Sequence, residues 1–417
     1  MSEDTNGKSR RSYLKATGAA SVAGISSLAG CTLGGGGGGG SETLTIGATV
    51  PRSGSFSSLG QSVERGYQLG VARMNEQLER DVEIVIQDDE SDAAQVRQSL
   101  NQITSNNDVD MLWGSFSSLL VTAGSAFAEN QELPFLGAFF AYEEPHRNEG
   151  YEWTYSPFPK SRDVARSTRG LLSLIPENER PTNVGIWEPN SGWGAEQSTY
   201  WDDVLSNEGY DVVLRESFQL GSEDFSSLIS QSKSADVEIL LSVPTPPGGI
   251  TAVNQMQEND FTPEVLKFVR GADPTAWWSA LGQQGAFACM CPGWVPGMTG
   301  NGNDGFKSAF ESEYGLEDGA VIPTAVGGAY NVAQVALQAV QAAGSTDSDG
   351  LQTALRETEF GTVIGDFTFE ENGLPSEGQL TAPTGQWWEG GQHVVYPDTQ
   401  GEEAIDFRYP MTPWSER

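Results

Sequence analysis

Two runs of alternating strands and helices constrain this chain more than anything else in it. TLTIGATV (43–50) reads as a buried strand, and from Leu59 the positions Val63, Tyr67, Val71, Met74 and Leu78 recur at helical spacing. The pattern then predicts strand VEIVIQD (82–88), helix 92–106, strand VDMLWG (109–114), helix 117–130 and strand LPFLGA (133–138). A second run begins after Pro157 and Pro159 with helix 161–175, strand TNVGIW (182–187), helix 194–208 and strand DVVLRESF (211–218). Helix 224–233, strand VEILLSV (237–243), helix 249–259 and strand EVLKFV (264–269) continue it. Strands that alternate with helices pair in parallel, because each return needs a crossover, and the helices then cover both faces of the sheet. Residues 43–417 are too many for one ordinary core. The expected fold is therefore α/β, with two doubly wound parallel-sheet lobes.

Ligands of open parallel sheets sit outside the carboxyl ends of the strands. Those ends carry PRSGSFSSLG, WGSFSS, LGAFFAYEE, WEPNSGWG, SVPTPPGG and VRGADP. They are rich in Ser, Gly, Pro and aromatics and poor in His, Lys and Cys, which is the palette of a binding site and not of nucleophilic or metal-assisted chemistry. Only two histidines, His146 and His393, stand in the chain, far apart, so no zinc site is expected. Cys289 and Cys291 in GAFACMCPGW read as half-buried strand residues, with a vicinal-type disulfide as the alternative. An exported hydrolase is disfavoured: there is no G-x-S-x-G elbow, and Ser230-x-x-Lys233 falls on an exposed-looking helix.

The first 42 residues have a different logic. KSRRSYLKATGAASVAGISSLAGC carries Arg10-Arg11, then a mild small-residue and apolar stretch from Ala16 to Gly30, too short to span a bilayer. The RRxYLK pattern looks like a twin-arginine export signal, and Leu28-Ala29-Gly30-Cys31 resembles a lipobox whose cysteine takes a lipid. Residues 1–31 are read as signal and lipobox, and the glycine-rich stretch 32–42 as a tether of about 18 Å typical reach. Extracytoplasmic anchoring on the outer face of the cell membrane follows as an expectation.

Net charge bears on the environment. With 57 Asp plus Glu against 23 Lys plus Arg the chain stands at −34, tolerable where salt screens repulsion over a few ångströms. Eleven Trp, 18 Phe and 11 Tyr argue for a filled interior and against disorder. A halophilic protein is expected. Nucleic acid is an unsuitable partner, since little basic surface is available to neutralise phosphates.

Taken in order, these segments resemble the type I periplasmic binding proteins, in particular the branched-chain amino acid binding branch that serves ABC importers. IGATVPRSGSFSSLGQSVERGYQLGVARMN resembles that family's opening strand, loop and helix, and QDDESDAAQ its acidic second turn. WGSFSS and PFLGAFF sit at the family's third and fourth strand ends, and NSGWGAEQ resembles its Asp-x-x-Tyr-Gly turn with Trp193 at the tyrosine. GGAYNVAQVALQAVQAAGS, TVIGDFTFEENG and GQWWEGGQHVVYP complete a similarity spanning residues 43 to 417.

The resemblance implies lobe I from 43–157 plus 294–362 and lobe II from 158–293 plus 363–417, crossed three times and closing on ligand by hinge motion. It implies a solute-binding role with no catalysis and no cofactor, an ABC permease as partner, and a monomer. A sensory module reporting to a membrane receptor is the alternative. Carried over by position, Ser117 and Ser118 would hold the ligand's anionic group at a helix N-terminus, where free N–H groups and the helix dipole favour negative charge. Trp193 would wall the pocket, Leu59 and Thr245 would line it, and Tyr330 matches a pocket tyrosine on an apolar helix that could equally be core.

The chain also departs from the family. Where amino acid binders carry a threonine after Ala138, this chain has Phe139 and Phe140; the carbonyl of Ala138 could still take one donor. The glutamate that pairs with the ammonium group has Asp273 as its nearest counterpart. The expected ligand has one anionic or strongly polar end and an apolar or alkylated end, with branched-chain amino acids as the default. Phe139, Phe140 and Trp193 would form an aromatic wall, unless both phenylalanines point into the lobe and Asp273 restores ordinary amino acid binding.

Overall fold

The computed structural model describes residues 43–316, 321–397 and 404–417. The paired arginines, Cys31 and the glycine tether lie outside the described residues.

Among the described residues the strands form two main sheets. The first is wholly parallel, ordered β2-β1-β3-β4-β5, from β1 (Leu44–Val50), β2 (Val82–Asp88), β3 (Met111–Trp113), β4 (Phe135–Leu136) and β5 (Thr154–Tyr155). The second runs β14-β13-β10-β9-β8-β6-β7. Its parallel part comprises β6 (Asn183–Pro189), β7 (Asp211–Phe218), β8 (Ile239–Ser242), β9 (Val265–Phe268) and β10 (Cys289–Met290). The hairpin β13 (Thr384–Trp388) and β14 (Gly391–Tyr396) joins it antiparallel. A small hairpin, β11 (Phe360–Thr362) with β12 (Gly365–Phe367), stands apart. In both sheets the strand order reverses, at β1 and at β6, and such switch points leave crevices at the strands' carboxyl ends.

Local sequence explains the elements. Asp92 caps helix Ala93–Asn106, its carboxylate accepting from the N–H groups of Ala94 and Gln95 at 2.8 and 2.9 Å. Helix Ser57–Gln77 buries Leu59, Val63, Tyr67, Val71 and Met74 and packs on helix Thr324–Ala343. Two glycines allow that approach: a Cβ at Gly66 would lie 2.5 Å from the Val326 carbonyl, and one at Gly70 would lie 2.1 Å from the Ala333 Cβ. Rings fill the centre of the first lobe, with Tyr67 and Trp113 at 4.9 Å between centroids.

Two expected elements change their bounds at the cleft. The strand predicted over 133–138 is reduced to Phe135–Leu136, and at Phe139 the backbone turns left-handed, with φ 51°. The helix predicted from 117 starts at Ser118 because Ser117 stands at φ 80°. Such φ values are costly for non-glycine residues, and they occur here where the chain turns side chains toward the other lobe. The third passage between the sheets comes later than the expected boundary at 362/363. Gly373 still accepts from the Ser156 N–H at 3.0 Å, and the chain enters the second sheet only at Thr384. Cys289 and Cys291 are not half-buried: both are fully buried and free, in and just beyond β10.

Candidate functional site

The carboxyl ends of the two sheets face one another across a small cavity. From the first lobe come Phe116 and Ser117, after β3, and Phe139 and Ala141, after β4. Phe158 lies on the passage between sheets, with Val164 on the helix Ser161–Ser173 that follows. From the second lobe come Trp193, in the first turn of helix Gly192–Ser206, then Val269, Arg270 and Asp273 after β9, and Cys291 after β10. The cavity measures about 20 Å³, room for little more than one water molecule. The cleft is therefore shut, and a solute would have to part its walls.

Aromatic rings make a continuous wall. Phe56 and Phe116 lie 5.9 Å apart between centroids, Phe116 and Phe139 4.9 Å, and Phe139 and Phe158 5.5 Å. Arg270 sits within it, its guanidinium 5.4 Å from the centre of the Phe56 ring and 5.0 Å from that of Trp193. Phe56 precedes the first helix of lobe I, so this stack ties the lobes together. The Arg270 Nε–H donates to the Pro244 carbonyl at 3.1 Å and Nη2 donates to the Val243 carbonyl. Trp193 is fixed through its indole N–H, which donates to the Ser161 hydroxyl at 3.2 Å.

Polar groups at the cavity lack partners. The hydroxyls of Ser117 and Ser118 are buried at the start of helix Ser118–Gln131 and make no hydrogen bond, and neither does Asp273 Oδ1. The free N–H groups of the helix's first turn add positive potential there. Burial pushes the Asp273 carboxyl up to about 7, against the pull of backbone hydrogen bonds and of the Arg270 charge. Burial also lowers Arg270 to about 10, with Asp273 as the opposing influence. An unpaired buried charge or hydroxyl costs free energy unless something satisfies it, so these groups stand open to a polar partner beside an apolar wall.

The expected residues divide. Ser117, Phe139, Trp193 and Asp273 come together at the cavity, and Ser118 stands beside Ser117 with its hydroxyl unpartnered. Phe140 does not reach it: its ring is buried in the first lobe against His146 at 5.2 Å. The Phe140 carbonyl accepts from Lys160 Nζ at 2.6 Å, and successive residues cannot both face the cleft here. Leu59 and Ala138 are buried in the core outside the cavity lining. Thr245 caps helix Pro246–Glu258, its hydroxyl accepting from the Gly248 N–H at 3.3 Å. Tyr330 turns toward Phe306, at 4.8 Å, in a separate groove between helices of the first lobe. Sequence reasoning missed Phe56, Phe116, Phe158 and Arg270. The signal for Arg270 was a basic residue at a buried strand end, in a chain with only 23 basic residues.

Two shut sheet edges enclosing such a cavity are the geometry of a solute-binding cleft, and comparison with known proteins agrees. A profile described as periplasmic binding protein matches residues 43–382. The chain belongs to the periplasmic binding protein family. It is a type I member of the branched-chain amino acid branch, and its role is binding, not catalysis. It is similar to Leu/Ile/Val-binding protein homolog 7 of Brucella abortus, 24% identical over 391 residues, covering 88% of this chain and 94% of the relative. The solved leucine binding protein of Thermotoga maritima superposes with TM-score 0.72 at 18% identity, over 84% of this chain and 97% of that one. A solute binding protein of R. palustris in complex with benzoate superposes at 0.71 with 16% identity, over 85% and 96%. Among the described residues of this periplasmic binding protein, no helix is long and apolar enough to cross a membrane, and no cluster of His, Cys, Asp and Glu could hold a metal ion.

Proposed function

We propose that this periplasmic binding protein is the solute-binding subunit of an ABC importer, a monomer held at the outer face of the cell membrane by a lipid on Cys31. It closes its lobes on a small organic solute with an anionic end and an apolar body, and presents the closed form to a membrane permease. One observation carries the reading. Ser117 offers a buried, unpartnered hydroxyl at a helix N-terminus, facing Trp193 and Arg270 from the opposite lobe. The names of the relatives support a solute of amino acid size, and the R. palustris neighbour extends the supported range to a simple carboxylate. The Arg10-Arg11 and Leu28-Ala29-Gly30-Cys31 motifs support export and anchoring, and the charge of −34 supports work at high salt.

A thermal-shift screen of amino acids, amides and carboxylates in molar salt tests the binding role. A true ligand at a hundredfold excess over Kd stabilises by about 2.7 kcal/mol and raises Tm by several degrees. A flat Tm across the panel, with no retention of the protein on permease-containing membranes, would reject it. The anchor has its own test: Cys31→Ser is expected to release the protein from the membrane fraction, and unchanged membrane association and mass would reject lipidation.

A further inference from the structure

We propose, building on the solute-binding reading, that Arg270 makes this cleft selective for flat apolar carboxylates that lack an α-ammonium group. The Arg270 side chain is 4% exposed and held on two sides by ring faces, with Nε and Nη2 fixed on backbone carbonyls. Those two carbonyls are the hydrogen-bond acceptors its guanidinium meets among the described residues, and Asp273 is the carboxylate whose charge bears on it. With the Nε edge held on carbonyls, the Nη1/Nη2 edge is the planar donor pair left to match a carboxylate. Ser117 supplies a further donor across the cavity, and the first-turn N–H groups of helix Ser118–Gln131 add to it.

An α-amino acid would fare worse. Its ammonium sits one carbon from its carboxylate, so a carboxylate held by Arg270 brings a second cation close to the guanidinium in a water-poor cavity, where like charges repel strongly. The acceptor on offer is Asp273, which faces Arg270, Lys267 and the Cys291 thiol, and which burial holds partly protonated near neutrality. A protonated Asp273 donates to a carboxylate and has no charge for an ammonium. The rest of the wall is Phe116, Phe139, Phe158 and Val164, which offer ring faces and methyl groups to a flat body and no acceptor.

The experiment pairs molecules that differ only in the ammonium group. Isothermal titration in molar salt compares 3-phenylpropanoate with L-phenylalanine, and 4-methylpentanoate with L-leucine. The deaminated acid of each pair is expected to bind at least roughly 30-fold tighter, the size of a desolvated charge mismatch. Its affinity should fall between pH 6 and pH 8 as Asp273 ionises beside it, whereas an ammonium held by Asp273 would bind more tightly over the same range. Arg270→Gln should cost the acids about 100-fold or more, with Arg270→Lys intermediate and circular dichroism confirming that both variants fold. Equal or tighter binding of the amino acids overturns the proposal, as does an unaffected Arg270→Gln. If neither pair binds, the selectivity proposal falls alone when another solute raises Tm, and the solute-binding reading falls with it when none does.

Discussion

Glu196 is one of the side chains that bridge the shut lobes. It stands on helix Gly192–Ser206 of the second lobe. Its carboxylate accepts from the N–H of Glu143 at 3.0 and 3.2 Å, from that of Glu144 at 2.9 Å, and from the Ser161 hydroxyl at 2.6 Å. Glu143 and Glu144 belong to the first lobe, at the start of the short helix Glu144–Glu149, so the carboxylate also sits at its positive end. The Ser161 contact lies within the second lobe, so Glu196→Ala removes from the shut form alone the acceptors for the Glu143 and Glu144 N–H groups. Because the site is half open to water, which can replace them in part, the net bias toward opening is about 1–3 kcal/mol. A solute that binds only the shut form would then bind about 5- to 150-fold more weakly. Glu196→Gln, which keeps one carbonyl oxygen, should lose less. Titration calorimetry reads the affinity, and small-angle scattering reads the larger radius of gyration of the unliganded variant. Unchanged affinity together with an unchanged radius would refute the assignment of Glu196 as a latch.

Other substitutions separate binding from folding. Phe140→Ala empties a fully buried ring position in the first lobe; it should cost about 3–5 kcal/mol in urea unfolding and leave ligand preference unchanged among folded molecules. Asp273 has a folded value of about 7 against its ordinary 3.8, so the stability tied to its protonated form is fully present below about 4 and lost as pH rises through 7. Asp273→Asn should abolish that loss, leaving the variant more stable than the wild type at pH 8 by an amount on the order of 4 kcal/mol at most; equal pH profiles would contradict it. With 57 acidic and 23 basic residues, Tm should fall between molar and 0.01 M salt as the screening length grows from about 3 to about 30 Å. A Tm independent of salt would count against halophily.

The fold was legible because crossover helices and buried parallel strands leave separate periodicities. The strands 82–88 and 211–218 coincide with β2 and β7, and the helix anchored at Val63, Tyr67, Val71 and Met74 is present with those residues buried. The cleft was legible only in part, and the reason lies in the backbone. Whether Phe139 or Phe140 faces the ligand depends on one left-handed turn at φ 51°, which side-chain periodicity does not announce. Thr245 shows another limit: a hydroxyl in a loop serves equally as a helix cap or a ligand contact, and here the N–H of Gly248 takes it. Arg270 was hidden because its partners are carbonyls and rings from three segments distant in sequence.

A solute gripped by both lobes at once protects both from exchange, and amide hydrogen exchange tests this directly. The solute giving the largest Tm shift is added at saturation in molar salt. Protection should rise together in residues 116–120 and 139–141 of the first lobe and in 191–195 and 269–273 of the second. Protection confined to one lobe, or centred on the groove around Tyr330 and Phe306, would contradict the account.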